Sequence, residues 1–140
     1  MAFREKSAWI MALALLLGGV FYFGTVISLS RGHGGLAPPG LPLLVFYTAA
    51  MVATAVVGHA VAAAMAPREA GHRPDEREEL VIARAGNQSA YVLAVGVLLS
   101  LGAYLLTGNG HLMFYVAFGS LMAFQLYAYA AQIMMYRTGV

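Results

Sequence analysis

Most of this 140-residue chain consists of four long apolar runs, which lie at 8–29, 41–65, 89–106 and 112–135. Each run reaches or approaches the roughly 20 residues that a helix needs to cross a bilayer core of about 30 Å. Hydrophobic residues make up 61% of the chain and charged residues only 10%. A soluble domain of this size could not bury so much apolar surface. The sequence therefore predicts an all-α membrane protein of one domain, 1–140, with helices at about 8–29, 41–65, 76–106 and 111–136.

The Lys and Arg residues lie almost entirely on one side of the predicted helices. Arg31 alone falls in a link on the other side, and the remaining seven are Arg4, Lys6, Arg68, Arg73, Arg77, Arg84 and Arg137. Loops that stay in the cytoplasm collect Lys and Arg. We therefore expect an antiparallel four-helix bundle with both termini and the 66–88 link in the cytoplasm. The outer link at 107–111 is so short that helices 3 and 4 must form a hairpin.

Residues 74–85 carry the marks of a helix that begins before the membrane. Asp75 can cap this helix, and Glu78 stands three residues later, as in a capping box. Acidic groups also crowd the first turn, where the helix dipole is positive. A helix running unbroken over 76–106 would measure roughly 46 Å and would extend about two or three turns into the cytoplasm. Gly86, a weak helix former, marks the place where a bend would fall.

Two interpretations of this charged segment stay open from the sequence. It is either a solvated helix end that keeps the link between helices 2 and 3 out of the membrane, or a docking surface. Its two oppositely charged sets could meet a cytoplasmic partner or an anionic headgroup. The residues of such a docking surface would be Arg73, Asp75, Glu76, Arg77, Glu78, Glu79 and Arg84.

A resemblance to a known family covers nearly the whole chain. The features that carry it are the Asp-Glu-Arg-Glu segment at 75–78, the aliphatic run and the Arg84-Ala85 pair after it, the opening segment 3–9 and the closing segment 127–133. In these features the chain resembles a group of small bacterial four-helix inner-membrane proteins of unknown function. Members are often encoded beside a small helix-turn-helix regulator. The resemblance implies a bacterial inner-membrane location and a transcriptional regulator as partner, and it implies no catalytic residues.

His59 is the one ionisable side chain, apart from tyrosines, deep inside a predicted span. Its neighbours Ala55, Gly58 and Ala62 are small and would let another helix approach closely. The imidazole could hydrogen-bond to that helix as a structural group. It could also serve in proton transfer, quinone binding or haem ligation.

The histidines make a poor metal or haem site. His59 lies about 27 Å along its helix from the outer end, whereas His111 sits near that end, so the two cannot hold one iron from opposite sides. His33 and His111 share the outer side, but no carboxylate joins them there. We therefore expect neither a metal nor a cofactor.

Polar side chains form a single stripe on the cytoplasmic half of helix 4, at Gln125, Tyr129, Gln132 and Tyr136. Amides and phenols in lipid must find partners, so this stripe should face the bundle or another protomer. Helix 3 offers further polar groups at comparable depth. The sequence predicts an intramembrane polar cluster, serving either as interhelical hydrogen-bonding glue or as a polar pathway, of His59, Gln88, Tyr91, Gln125, Tyr129 and Gln132.

Absent features narrow the function classes. No span contains a carboxylate, which argues against a transporter coupled to protons or sodium. The chain lacks cysteine, a phosphate-binding glycine loop, a nucleophile elbow and a metalloprotease motif. It also lacks a basic surface large enough for nucleic acid. We therefore expect no enzyme, no catalytic residues and no direct nucleic-acid binding.

The expected function is that of an integral inner-membrane interaction protein, which senses or sequesters a cytoplasmic regulator through the 68–88 segment. The alternative is a small oligomeric transporter or channel, with its path lined by His59 and the Gln125/Gln132 stripe. Pairs of small residues spaced four apart permit close helix contact and leave a monomer or a homo-oligomer open. These pairs are Ala14/Gly18, Gly96/Ser100 and Gly119/Ala123.

Overall fold

A computed structural model describes residues 3–65 and 75–138 of the chain. Within these ranges it has four helices and no strand: α1 Phe3–His33, α2 Leu41–Met65, α3 Glu76–Thr107 and α4 Gly110–Thr138. Each helix is long and apolar enough to cross a membrane. The predictions of an all-α fold and of four helices long and apolar enough to span a membrane are therefore confirmed.

The helices α1 and α3 are longer than a bilayer core requires. At about 1.5 Å per residue, the 31 residues of α1 and the 32 residues of α3 measure about 46 and 48 Å. The helix α1 begins at Phe3 and not at residue 8, because an apolar run marks only the part of a helix that crosses the hydrocarbon. The helix α3 runs through Gly86, whose carbonyl accepts a hydrogen bond of 2.8 Å from the Ser89 hydroxyl.

Three pairs of helices pack together: α1 with α2, α1 with α4, and α3 with α4. The bundle therefore has the neighbour order α2–α1–α4–α3, with α2 and α3 at its two edges. The partners in each pair run antiparallel, as contacts near their ends show: Ser7 of α1 meets His59 of α2, Glu5 of α1 meets Arg137 of α4, and Ser100 of α3 meets Met113 of α4. Other pairs of the described helices touch little or not at all.

Aromatic side chains fill the core near the end of the bundle that carries the 34–40 link. Tyr22 of α1 is fully buried, with ring centroids 5.4 Å from Tyr47 of α2 and 4.7 Å from Phe118 of α4. The rings of Tyr47 and Phe118 are 5.5 Å apart and join the otherwise unpaired helices α2 and α4. Tyr47 and Tyr115 thus belong to the core.

Glycines sit where neighbouring helices approach most closely. A Cβ atom on Gly96 of α3 would collide with the side chain of Ser120 on α4. A Cβ atom on Gly18 of α1 would lie 2.9 Å from the sulfur of Met51 on α2. The small-residue pairs seen in the sequence therefore include contacts between helices of one chain, where a larger side chain would hold the backbones apart.

The 34–40 link folds back onto the bundle and is fixed at Ala37. Gly34, with φ of 68°, makes the turn that ends α1. The amide of Ala37 then donates to the Ser30 hydroxyl at 2.9 Å, and its carbonyl accepts from the Tyr115 hydroxyl at 3.1 Å. Ala37 is buried, so these bonds satisfy backbone groups that water cannot reach.

Candidate functional site

An ion pair closes the end of the bundle where the first and last helices meet. The Arg137 Nε lies 3.4 Å from Oε1 of Glu5, and the guanidinium carbon lies 5.5 Å from the centre of the Trp9 ring. The Glu5 side chain is only 11% exposed, whereas that of Arg137 is 59% exposed. The arginine thus shields a buried carboxylate from the bundle surface. Glu5 is the one acidic residue outside the 69–79 segment.

His59 of α2 is held by hydrogen bonds on both ring nitrogens. Its Nδ1 lies 2.7 Å from the Ala55 carbonyl, and its Nε2 lies 3.0 Å from the Ser7 hydroxyl of α1. A carbonyl only accepts, so Nδ1 carries the proton, and in the neutral ring Nε2 accepts from Ser7. Since Ser7 is two residues from Glu5, His59 lies close to the charged end of the bundle. This geometry agrees with the interpretation of His59 as a structural group whose imidazole hydrogen-bonds to a neighbouring helix.

The start of α3 is capped as the sequence predicts. Asp75 has an extended backbone, and its Oδ1 accepts a hydrogen bond of 2.7 Å from the amide of Glu78. The Asp75 carbonyl accepts from the amide of Glu79 at 3.0 Å. The cap gives two of the amide donors at the helix start a partner, so the charged first turn is a fixed helical surface.

One side of this helix start is anchored and the other is free. Val81 and Ala85 are buried, and α4 is the helix that packs along α3. We define the charged face of this helix start as Glu76, Arg77, Glu79 and Arg84: Glu76 and Glu79 point away from Val81, whereas Arg77 and Arg84 flank it. All four side chains are exposed, and none of them forms an ion pair with the residues that the structure describes.

Three more residues were predicted to join this docking surface. Asp75 is exposed and caps the helix, and Glu78 is half-buried beside it. Arg73 lies outside the described residues.

The residues of the predicted intramembrane polar cluster occupy different sides of the bundle. Tyr91 lines a groove of ≈ 480 Å³ between α3 and α4, opposite Ser120 and Ala123. Gln88, one turn before Tyr91, is also exposed. Gln125 stands two residues after Ala123, hence about 200° round the helix from this groove. The structure therefore separates the polar residues of α3 from Gln125.

On α4, Gln125 is exposed, while Tyr129 and Gln132 are half-buried. None of these three, nor Gln88 or Tyr91, forms a hydrogen bond with another side chain in the described ranges 3–65 and 75–138. His59 bonds only to Ser7 and Ala55 there. A single hydrogen-bonded cluster of the six predicted residues is thus not formed among the described residues of one chain.

One residue of the polar stripe, Gln125, is exposed because α2 packs on only part of α4. The two helices meet through Tyr47 and Phe118 but do not pack along the rest of their length. Gln125 lies seven residues beyond Phe118, on nearly the same face of α4. Below the aromatic contact this face of α4 is therefore not covered by α2, and the amide of Gln125 is left exposed.

Sequence reasoning did not single out Glu5 and Ser7 as partners or Tyr22 as the centre of the core. Glu5 and Ser7 precede the first apolar run, so the sequence predicts that they lie at the level of the lipid headgroups. Their partners, Arg137 and His59, are far away in the sequence, and no local sequence pattern predicts such contacts. Tyr22 sits in a run of aromatic and aliphatic residues without a helical amphipathic pattern to mark one buried face.

Comparisons with known proteins return no match: no family model, no curated protein and no solved structure corresponds to the chain. The resemblance to small bacterial four-helix inner-membrane proteins stays a prediction from the sequence. Any function must therefore be argued from the residues themselves.

Proposed function

We propose that the chain is an integral membrane interaction protein that holds a cytoplasmic regulator at a bacterial inner membrane. The charged face of α3 would be the docking surface. One observation carries the proposal: Glu76, Arg77, Glu79 and Arg84 are exposed and form no ion pair with described residues, on a helix start fixed from behind by Val81 and Ala85.

The charges of this face contribute more to binding a partner than to the stability of the fold. Exposed charges at a helix end contribute little to folding, so these four are expendable to the bundle. A rigid arrangement of two acidic and two basic groups favours a partner with the complementary arrangement of charges and raises the rate of association with it. Because the helix is already capped, little conformational entropy is lost on docking.

The proposal also requires that this end faces the cytoplasm. The contact of Glu5 with Arg137 brings the ends of α1 and α4 together, at the same end of the bundle as the start of α3. Among the described residues, this end carries Lys6, Arg77, Arg84 and Arg137, whereas Arg31 lies at the other end. Reporter fusions after Val140 and within 32–40 test the orientation. A reporter after Val140 that is active only outside the cytoplasm would overturn it.

The docking surface is tested by capture from native membranes. The tagged wild type and the Glu76→Gln/Glu79→Gln variant are purified side by side, and co-purifying cytoplasmic proteins are identified. We expect the variant to lose its partner by about tenfold, while thermal stability changes by only a few tenths of a kcal/mol. Charge reversal at Arg77 and Arg84 should act similarly.

A matched control is Arg31→Gln, which removes an exposed charge at the opposite end of the bundle. It should leave capture unchanged. If the double glutamine variant captures the partner as the wild type does, with equal stability, the segment is a solvated helix end and the proposal fails.

The second candidate function is a small oligomeric transporter or channel. The observation in its favour is that α2 does not pack on α4 beyond the contact of Tyr47 with Phe118, which leaves the amide of Gln125 exposed. Purified protein in liposomes should then conduct protons or monovalent cations, and Gln125→Leu should reduce the flux. An interaction protein purified alone should give no flux.

A further inference from the structure

We propose that two copies of the chain form a symmetric dimer in the membrane, with the amides of Gln125 and Gln132 meeting across the interface. This inference is independent of the proposed function. It names a second interaction surface, on α4, and its occupant.

The first step is the depth of these amides. Gln125 lies close to the middle of α4, which spans Gly110–Thr138, and Gln132 lies about 10 Å further along the same face. In a bilayer core of about 30 Å centred on the helix, Gln125 lies near the middle and Gln132 about 12 Å from it, towards the end of the bundle that carries Arg84. Lipid offers an amide no hydrogen-bond partner, so an exposed amide at this depth is strongly unfavourable.

The second step is that neither amide is satisfied within its own chain. Neither side chain forms a hydrogen bond with the residues that the structure describes. The face of α4 towards α3 is used by Ser120 and the face towards α1 by Met122, which packs against Gly19. Gln125 belongs to the side between α2 and α3, which α2 leaves open below the contact of Tyr47 with Phe118.

The third step is the nature of the occupant. Two copies inserted with the same orientation are related by a two-fold axis along the membrane normal, which brings identical residues together at identical depth. An amide both donates and accepts, so it can pair with the same amide of a second copy. A carboxylate or an ammonium group could not. Gln125 and Gln132 lie two turns apart on one stripe of α4. Each can therefore form the same amide–amide contact with its copy in the second chain.

Cross-linking tests the interface directly, because the chain contains no cysteine. A single cysteine introduced by Gln125→Cys or Gln132→Cys can form a disulfide only with a second copy. We expect oxidised liposome samples of both variants to run as dimers. The control is Leu98→Cys on α3, where the side chain is 68% exposed but lies away from the interface. A dimer from Leu98→Cys and none from the α4 variants would overturn the proposal.

Dilution into lipid measures the contribution of the amides. Fluorescence energy transfer between labelled copies is followed as the protein is diluted in liposomes. The Gln125→Leu/Gln132→Leu variant should dimerise about tenfold more weakly than the wild type, in line with interhelical hydrogen bonds in membranes. Gln88→Leu removes an amide of α3, on a different side of the bundle from Gln125, and should leave dimerisation unchanged. Equal dimerisation of wild type and double variant, or a wild type that is monomeric at every dilution, would refute the proposal.

Discussion

Glu5 and Arg137 form an ion pair of 3.4 Å between the first helix and the last, across 132 positions of sequence. The carboxylate is almost buried and the guanidinium mostly exposed, with the ring of Trp9 beside it. This pair links the two inner helices, α1 and α4, at the end of the bundle where α1 begins and α4 ends. The bundle therefore has a closed end near the termini as well as a fixed link at 34–40.

The ion pair should stabilise the α1–α4 contact. Arg137→Ala leaves the Glu5 carboxylate buried without its cation, and we expect a loss of about 1 kcal/mol, because the exposure of Arg137 limits the gain of the pair. The swapped variant Glu5→Arg/Arg137→Glu should recover part of that loss. Unfolding in a detergent titration measures both. A swapped variant no more stable than Arg137→Ala would show that charge pairing contributes nothing here.

The contact of Gly96 with Ser120 predicts a rescue experiment. Gly96→Ala places a methyl group against the Ser120 side chain and should cost about 1–3 kcal/mol, as overpacking does. Adding Ser120→Gly removes the colliding atoms and should restore most of the stability. The control is Gly86→Ala in the same helix, where a Cβ meets no atom within 4 Å and helix propensity should raise stability. Equal losses at Gly86 and Gly96 would mean that α3 and α4 are not in close contact.

The sequence predicts the four helices because their signal is local. An apolar run of about 20 residues is decided by the cost of exposing polar backbone in lipid, whatever the neighbours are. The cap at Asp75 is local as well, since its bond reaches only to Glu78. These features follow from residues within one or two turns of each other.

The neighbour order α2–α1–α4–α3 is not contained in such local signals. Apart from the polar stripe of α4, the apolar spans have no amphipathic face that indicates which helix packs on which. The order is decided by contacts such as Tyr22 with Phe118 and Gly96 with Ser120, which depend on the shapes of distant side chains. For the same reason the sequence groups Tyr91 with Gln125, whereas the fold directs them to different sides.

The hydroxyl of Tyr115 should fix the 34–40 link. Tyr115→Phe removes the bond of 3.1 Å to the Ala37 carbonyl and leaves a buried acceptor without that partner. We expect a loss of about 1 kcal/mol and faster hydrogen exchange at residues 34–40. Tyr104→Phe is the control, because that side chain is 45% exposed. Unchanged exchange in the Tyr115 variant would mean that the link is held by other contacts.

The last prediction separates the cap of α3 from its charge. Asp75→Ala removes the acceptor for the Glu78 amide and should cost about 1 kcal/mol, with fraying confined to the first turn. Asp75→Asn loses the charge but keeps a side-chain oxygen, and asparagine caps as well as aspartate does. Hydrogen exchange at the amides of residues 76–79 should therefore rise in the alanine variant and stay low in the asparagine variant. If the charged face of α3 docks a partner, the alanine variant should also capture less of it than the asparagine variant. Fraying displaces Glu76 and Glu79 from their positions on the helix, although their charges remain. If hydrogen exchange rises equally in both variants, the interaction of the carboxylate charge with the helix dipole, and not its hydrogen bond, holds the helix start.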